Sequence, residues 1–248
     1  MTAGREGYRA SISARYVAIV RGLMDRPQSV TGDVDAERAL HASLLDERAS
    51  FWRFMTSRTR FIDACLIDAL ADGIGQVVTI GAGFDGRALR FRTPGVRFFE
   101  LDLATTHDDK RGRLIRLGID TTGLTMLATD LMTDRLEEVL AGAGHDADAP
   151  SLFICEGVLL YLNAAAVERT LSGARAAAGA GSRLATTFAL GEAPAAEPSW
   201  TGEDRQTFYR AGEVAELLSR TGWHCRRCIA PDGDGSPVAQ FCLAEAVR

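Results

Sequence analysis

The chain has no excess of positive charge. Its 248 residues include 28 Lys or Arg against 33 Asp or Glu, for a formal net charge of −5 and a pI near 5.5. Without a basic surplus to neutralise phosphates, a nucleic-acid partner is not expected. Long apolar runs are also missing: none approaches the roughly 18 consecutive residues a membrane-spanning helix needs. The opening MTAGREGYRA has no apolar signal core. The expectation is a cytoplasmic chain with neither a membrane nor a nucleic-acid partner. Cysteine is sparse: Cys65, Cys155, Cys225, Cys228 and Cys242 are odd in number and irregular in spacing, which argues against a disulfide framework. Cys225-Arg-Arg-Cys228 is a lone C-x-x-C. A structural zinc site would want a second pair of ligands, and His224 would point to the opposite face of a strand from Cys225. Two reduced thiols and no metal are expected there.

What is present is a 46% apolar composition, enough for one full core in a chain of this length. Apolar residues recur at helical spacing from Tyr8 to Arg26 and from Asp35 to Leu45, with a break at Pro27, Gln28 and Ser29. A longer helix is expected from about Ala49 to Ala71, with Phe51, Phe54, Phe61, Cys65 and Ile67 or the neighbours of Asp68 on its apolar face and Gly73 and Gly75 closing it. Beyond Gly75, short apolar runs alternate with helical stretches. The strands are QVVTIG, VRFFELDL, LTMLATD, SLFICEGVLLYL and SRLATTFAL, followed by WHCRRCIA and PVAQFCLAEA joined at an Asp232–Gly235 turn. Such alternation implies a parallel, doubly wound sheet with ligands at the carboxyl ends of its strands. The expected organisation is a helical cap over residues 1–72 and a Rossmann-like core over 73–248, within one structural domain. A Pro/Gly/Ala/Glu loop from Gly191 to Arg205 is a candidate binding loop.

QVVTIGAGFDGRALR carries a literal G-x-G-x-x-G at Gly81, Gly83 and Gly86. Alone that signal is weak, but here it follows a strand and opens a helix. Glu100 and Asp102 lie about twenty positions further on, where an acidic residue takes ribose hydroxyls. NAD and S-adenosylmethionine (SAM) both satisfy this pattern. Asp85 separates them: a dinucleotide places its pyrophosphate at the helix N-terminus, where a carboxylate would repel it by about 1 kcal/mol or more. SAM has no phosphate and carries cationic groups.

With these motifs in order, the sequence resembles the leucine carboxyl methyltransferase-like branch of class I SAM-dependent methyltransferases, which includes polyketide O-methyltransferases. The matching stretches are SRTRFID, VVTIGAGFDGRALRF, FFELDLATTHDDKRGRL, ATDL and FICEGVLLYL, from Ser57 to Leu162. The resemblance implies an α/β fold with a mostly parallel seven-stranded sheet and an N-terminal helical cap. It implies that Gly81, Ala82 and Gly83 bring backbone close to SAM, with Asp85 beside them. Asp102 would take the ribose, with Glu100 a second candidate, and Asp130 and Leu131 would border the adenine. Glu156 would lie near the methionine part. Arg58 would pair with the SAM carboxylate, with Arg21 a further candidate. Gly86 and Ala88 depart from the Thr and aromatic residue common in this loop.

Plainer readings compete. Asp85 and Arg87 could be solvated helix-start charges, Arg58 and Arg60 could pair on a helix surface with Glu47 or Asp63, and Asp130 could cap the next helix. His41, His107, His145 and His224 show no partner spacing, and Tyr161 and Trp200 read as packing residues. The reading that results is a SAM-dependent O-methyltransferase acting on a small-molecule carboxylate or hydroxyl, in natural-product biosynthesis and without a metal. Methylation of a protein C-terminus, a repurposed SAM fold, and an NAD-dependent oxidoreductase are the alternatives.

Overall fold

The computed structural model describes residues 12–43, 52–191, 207–229 and 239–247. Tyr8, Glu47, Phe51, Trp200, most of the Gly191–Arg205 loop and the Asp232–Gly235 turn lie outside the described residues.

Helices α1 (Ile12–Gly22), α2 (Val34–Ala42) and α3 (Trp52–Ala71) precede the first strand. Asp33 caps α2 by accepting the Ala36 N–H at 2.8 Å. The buried stripe of α3 is Phe61, Ile62, Cys65, Leu66 and Ala69. Of the neighbours of Asp68 offered for that face, Ala69 is buried and Ile67 is exposed. The stripe packs on Val77, Leu152, Ile154, Ala185 and Phe241, so α3 covers one face of the sheet.

The strands are β1 (Gln76–Ile80), β2 (Arg97–Asp102), β3 (Leu124–Ala128), β4 (Ser151–Cys155), β5 (Arg183–Ala189), β6 (Trp223–Ile229) and β7 (Ala239–Ala246). They form the expected seven-stranded sheet in the order β3-β2-β1-β4-β5-β7-β6. All pairings are parallel except those of β7, which runs antiparallel to both β5 and β6. The connecting helices are α4 (Arg87–Arg90), α5 (Ala104–Arg116), α6 (Leu136–Gly142), α7 (Ala164–Ala176) and α8 (Ala211–Arg220). Every residue of β1 and β4 is buried, as central strands covered on both faces must be. On the second face Val78, Phe99, Phe153, Leu171, Leu217 and Trp223 share a core, and the Trp223 indole N–H donates to the Leu171 carbonyl at 3.0 Å.

The order of chain reverses between β1 and β4, so their carboxyl ends frame a topological switch point. Main-chain bonds fix the loops there: Ala82 N–H donates to Leu101 O at 2.9 Å, and Thr129 N–H donates to Asp102 O at 2.7 Å. The helix opened by the glycine loop has only four residues. A one-turn helix has little macrodipole to offer an anion, which weakens the ground on which that loop was read.

The C-x-x-C also differs from expectation: Cys225 and Cys228 are joined as a disulfide. Between Cys225 and Arg227 the β6–β7 register slips by one residue, so both sulfurs reach the same face.

Candidate functional site

Four strand ends bring most of the expected residues to one edge. Gly81 to Gly83 follow β1, Asp102 ends β2, Asp130 and Leu131 follow β3, and Glu156 follows β4. Gly81 has φ +65° and Gly83 φ +53°, the left-handed region where glycine is favoured. A Cβ on Gly81 would lie 2.5 Å from Val158, and one on Gly83 2.6 Å from Ala14 of α1. The glycine loop is thus packed closely by the segment after β4 and by the first helix.

The Asp102 carboxylate accepts the Gly83 N–H at 2.7 Å and the Leu103 N–H at 2.8 Å. Burial raises its pKa and these backbone donors oppose the rise. The Thr106 side chain also bonds to this carboxylate, so of its roughly four lone-pair sites part of the acceptor capacity remains. Glu100, one pleat earlier, takes a different partner. It is buried against Lys110, the chain's single lysine, whose ammonium also donates to the Asp85 carbonyl. Burial raises the Glu100 carboxyl despite the pull of Lys110. Glu100 is engaged in this internal pair. Asp130 does not cap α6, whose N-cap is Arg135; it accepts the Met132 N–H at 2.9 Å and stays half-exposed beside buried Leu131.

Beneath this edge lies a buried ionic network. The side chain of Glu156 is 3% exposed and takes Arg58 Nε at 2.7 Å, Arg21 Nη2 at 2.6 Å and Arg87 Nη1 at 2.7 Å. Asp85 takes Arg21 at 3.0 Å and Arg87 at 2.6 Å. Arg87 also reaches Asp63 at 2.7 Å, Asp63 binds Arg26 at 2.7 Å, and Arg26 binds Glu37 at 2.7 Å. Glu37 completes the chain by pairing with Arg90. Coulombic attraction from Arg21, Arg87 and Arg58 overcomes the burial penalty and holds Glu156 well below the usual carboxylate range. Asp85 is depressed by Arg21 and Arg87, and Asp63 by Arg87 and Arg26, again against burial.

Three expectations change here. Asp85 is neither a solvated charge nor a free negative charge at the loop mouth, since two guanidiniums neutralise it; the electrostatic case against a dinucleotide loses its force. Arg58 is not a surface residue, and its Nε is committed to Glu156. Asp63 is buried and bound to Arg26 and Arg87, not to a surface arginine. Gly86 has a local cause: a Cβ there would lie 2.4 Å from Cγ of Glu37. The Thr usual in this loop would occupy the space that Glu37 fills. Arg26, Glu37 and Arg90 escaped the sequence reading as charged partners, and Asp63 entered it only as a surface partner of Arg58 or Arg60. A usable signal was a charge inside an apolar stripe, as with Asp63 between Ile62 and Cys65.

Among the described residues, five guanidiniums (Arg21, Arg26, Arg58, Arg87, Arg90) meet four carboxylates (Glu37, Asp63, Asp85, Glu156), so five minus four leaves one net positive charge within this set. Two buried donors, Arg21 Nε and Arg87 Nη2, have no hydrogen-bond partner among the described residues. An anionic group of a ligand would satisfy both the charge and the donors.

His41 borders the network. It is 2% exposed, its Nε2 lies 3.3 Å from the Phe84 carbonyl, and burial lowers its pKa to about 4. Unfolded, the imidazole protonates near pH 6.5. Between these values the unfolded chain binds more protons, so stability falls as pH drops from 6.5 towards 4, by about 3 kcal/mol. The depressed carboxylates act lower: their stabilisation is present above about pH 4 and is lost as pH falls further. Urea midpoints should decline from pH 7 to 4.5 in the native protein and decline clearly less in His41→Gln, where His145, also lowered by burial, still contributes. A native curve that is flat across this window would contradict the burial of a neutral imidazole.

The fold and the strand-end site together define a class. Among solved structures, a methyltransferase, provisionally so named, from Thermobifida fusca matches with a TM-score of 0.62 at 15% identity, covering 97% of this chain and 96% of that one. Magnesium protoporphyrin IX methyltransferase from Synechocystis, solved with bound S-adenosylhomocysteine (SAH), matches with a TM-score of 0.57 at 15% identity, over 86% and 93%. The architecture is that of the class I SAM-dependent methyltransferases. The sequence profile of the leucine carboxyl methyltransferase family matches residues 15–175, and the chain belongs to that family. A Streptomyces avermitilis protein with the provisional name of SAM-dependent methyltransferase is 41% identical over 133 residues, or 53% of this chain and 47% of that protein. A Frankia alni protein of the same provisional name is 40% identical over 133 residues, 53% and 46% of the two chains. The match thus spans about half the length of these curated relatives. Among the described residues, no helix is long and apolar enough to cross a membrane.

Proposed function

We propose that this chain is a SAM-dependent O-methyltransferase whose acceptor is a small molecule. The observation that carries the reading is the buried network at the switch point, with its net positive charge and two unsatisfied guanidinium donors. SAM fits it as an amino acid: its carboxylate would take the donors of Arg21 and Arg87, with Arg58 alongside, and Glu156 would face its ammonium. Asp102 would accept the ribose hydroxyls, and Asp130 and Leu131 would border the adenine. When bound, SAM supplies a methyl group on a sulfonium, open to in-line attack by an oxygen nucleophile. The chain's own part is to align the groups and exclude water.

A carboxylate acceptor is favoured over a hydroxyl. A hydroxyl needs a base to take its proton, whereas a carboxylic acid with a pKa near 4 is already ionised at neutral pH. CEGVLLYLN contains no histidine or lysine. His107 pairs with Asp108 and lines an outer cleft with Arg111, Leu114 and Met126, while His224 is exposed on the edge strand β6. The expected product is a methyl ester that releases methanol in mild alkali. An alkali-stable methyl group would point to an ether and a hydroxyl acceptor.

Calorimetry tests the cofactor. SAM and SAH should bind and NAD should not. Asp102→Ala should weaken SAM and adenosine alike by about 1.5–3 kcal/mol, the scale of hydrogen bonds to a charged group. Binding of NAD without SAM would end the proposal, and an unchanged affinity in Asp102→Ala would remove the ribose from that carboxylate.

A further inference from the structure

Three cysteines that take no part in the site above meet at the opposite end of the sheet. On the β6–β7 hairpin, Cys228 pairs directly with Cys242, Arg227 with Leu243, and Cys225 with Ala244. Arg226 is therefore an extra residue on β6, a β-bulge. In a regular strand, residues three apart face opposite sides of the sheet. The bulge cancels that alternation and turns Cys225 and Cys228 to the face that carries Cys242. Their three sulfurs all lie within 4.8 Å of one another. Cys242 is a free, fully buried thiol, whereas Cys225 and Cys228 are half-buried and pack on the same apolar cluster. The sulfurs thus run from the surface inwards, with a way in for a small ion.

We propose that the reduced chain binds one soft, thiophilic cation, such as Zn2+, through Cys225, Cys228 and Cys242, and that the Cys225–Cys228 disulfide is the metal-free oxidised form. Soft thiolates select such ions, and three protein ligands plus one open position is an established zinc arrangement. The lone C-x-x-C gave only two ligands; the hairpin register supplies the third. Opening the site needs a two-electron disulfide reductant: a small-molecule dithiol, or a phosphine, which with water is converted to its oxide. The dithiol gives two electrons and two protons, the Cys225–Cys228 bond breaks to two thiols, and the dithiol closes to its own disulfide. The cation then displaces up to three protons from the three thiols as its metal–sulfur bonds form.

The test uses the full chain, reduced with a phosphine and kept anaerobic, and titrated with Zn2+ against a chromophoric chelator. One Zn2+ per chain should bind, and X-ray absorption should count three sulfur neighbours at about 2.3 Å. Cys242→Ser should weaken binding about tenfold or more, since loss of groups that merely support metal ligands already costs that much. Cys65→Ala, on the other face of the sheet with Phe61 and Phe241, should bind as the native chain does. Protein left oxidised should not bind. No binding by the reduced chain, two sulfurs rather than three, or full affinity in a folded Cys242→Ser would each overturn the proposal. If Cys242→Ser does not fold, the sulfur count on the native chain decides.

Discussion

Replacing Glu156 with Gln should destabilise the protein by about 3–5 kcal/mol, the cost of removing one partner from a buried ion pair. The amide fills the same space but carries no charge. Arg21, Arg58 and Arg87 all touch that carboxylate, so three guanidiniums lose a shared counter-ion at once. The net charge of the network rises from one positive to two. At about 2–4 °C per kcal/mol for a chain of this size, the melting midpoint should fall by roughly 10 °C. Differential scanning calorimetry measures it. A loss below about 1 kcal/mol would be the behaviour of an exposed pair and would refute the network as described. Anion binding provides a second reading: with a larger positive surplus, the variant should be restabilised more than the native chain by a small carboxylate added in excess.

Glu37→Ala should have an effect of similar size, about 3–5 kcal/mol, because Arg26 and Arg90 would be left buried with too little negative charge. Gly86→Ala probes the same place from the other side. Gly86 has φ −106°, which alanine adopts freely, so its expected cost comes from the contact with Glu37 alone. Overpacking of this kind costs about 1–3 kcal/mol. In a Glu37→Ala background that contact is gone, and adding Gly86→Ala should cost almost nothing. Such a double-mutant cycle in urea isolates the coupling. Additive losses would show that Gly86 serves some purpose other than making room for Glu37.

The sheet was readable in the sequence because each central strand is a short apolar run bounded by turn residues. QVVTI and SLFIC are both buried throughout, as strands of a sheet covered on both faces are, and their short length and flanking turn residues favoured a strand over a helix. The strand ends followed from the alternation of strands and helices, Asp102 and Glu100 were singled out by their spacing from the glycine loop, and Glu156 by the family resemblance; the structure places Asp102 at the end of β2 and Glu156 just after β4. The ionic network was not readable in the same way. Charged residues on helices are by default solvated, and no local spacing links Glu37, Asp63, Arg87 and Arg90, which come from three different elements. Asp85 was located correctly and misread: its neighbours in space, Arg21 and Arg87, reverse what its charge would mean to a ligand. Ile67 lies one position beyond buried Leu66, and one residue on a helix turns a side chain by about 100°, enough to carry it off the buried face. The three-sulfur cluster depended on a single extra residue in β6, and a bulge leaves no mark in the hydrophobic pattern.

Lys110 gives the chain an unusual chemical property. It is the single lysine, and its amine is buried between Glu100 and the carbonyl of Asp85. An amine held in that way is shielded from acylating reagents for as long as α5 remains docked on β2. Acylation of Lys110 therefore counts openings of that one junction, directly beside the strand end that carries Asp102. Acylation localised to the peptide that carries Lys110, followed over time at increasing urea, becomes a clock for whether this part of the sheet opens locally or only when the whole domain unfolds.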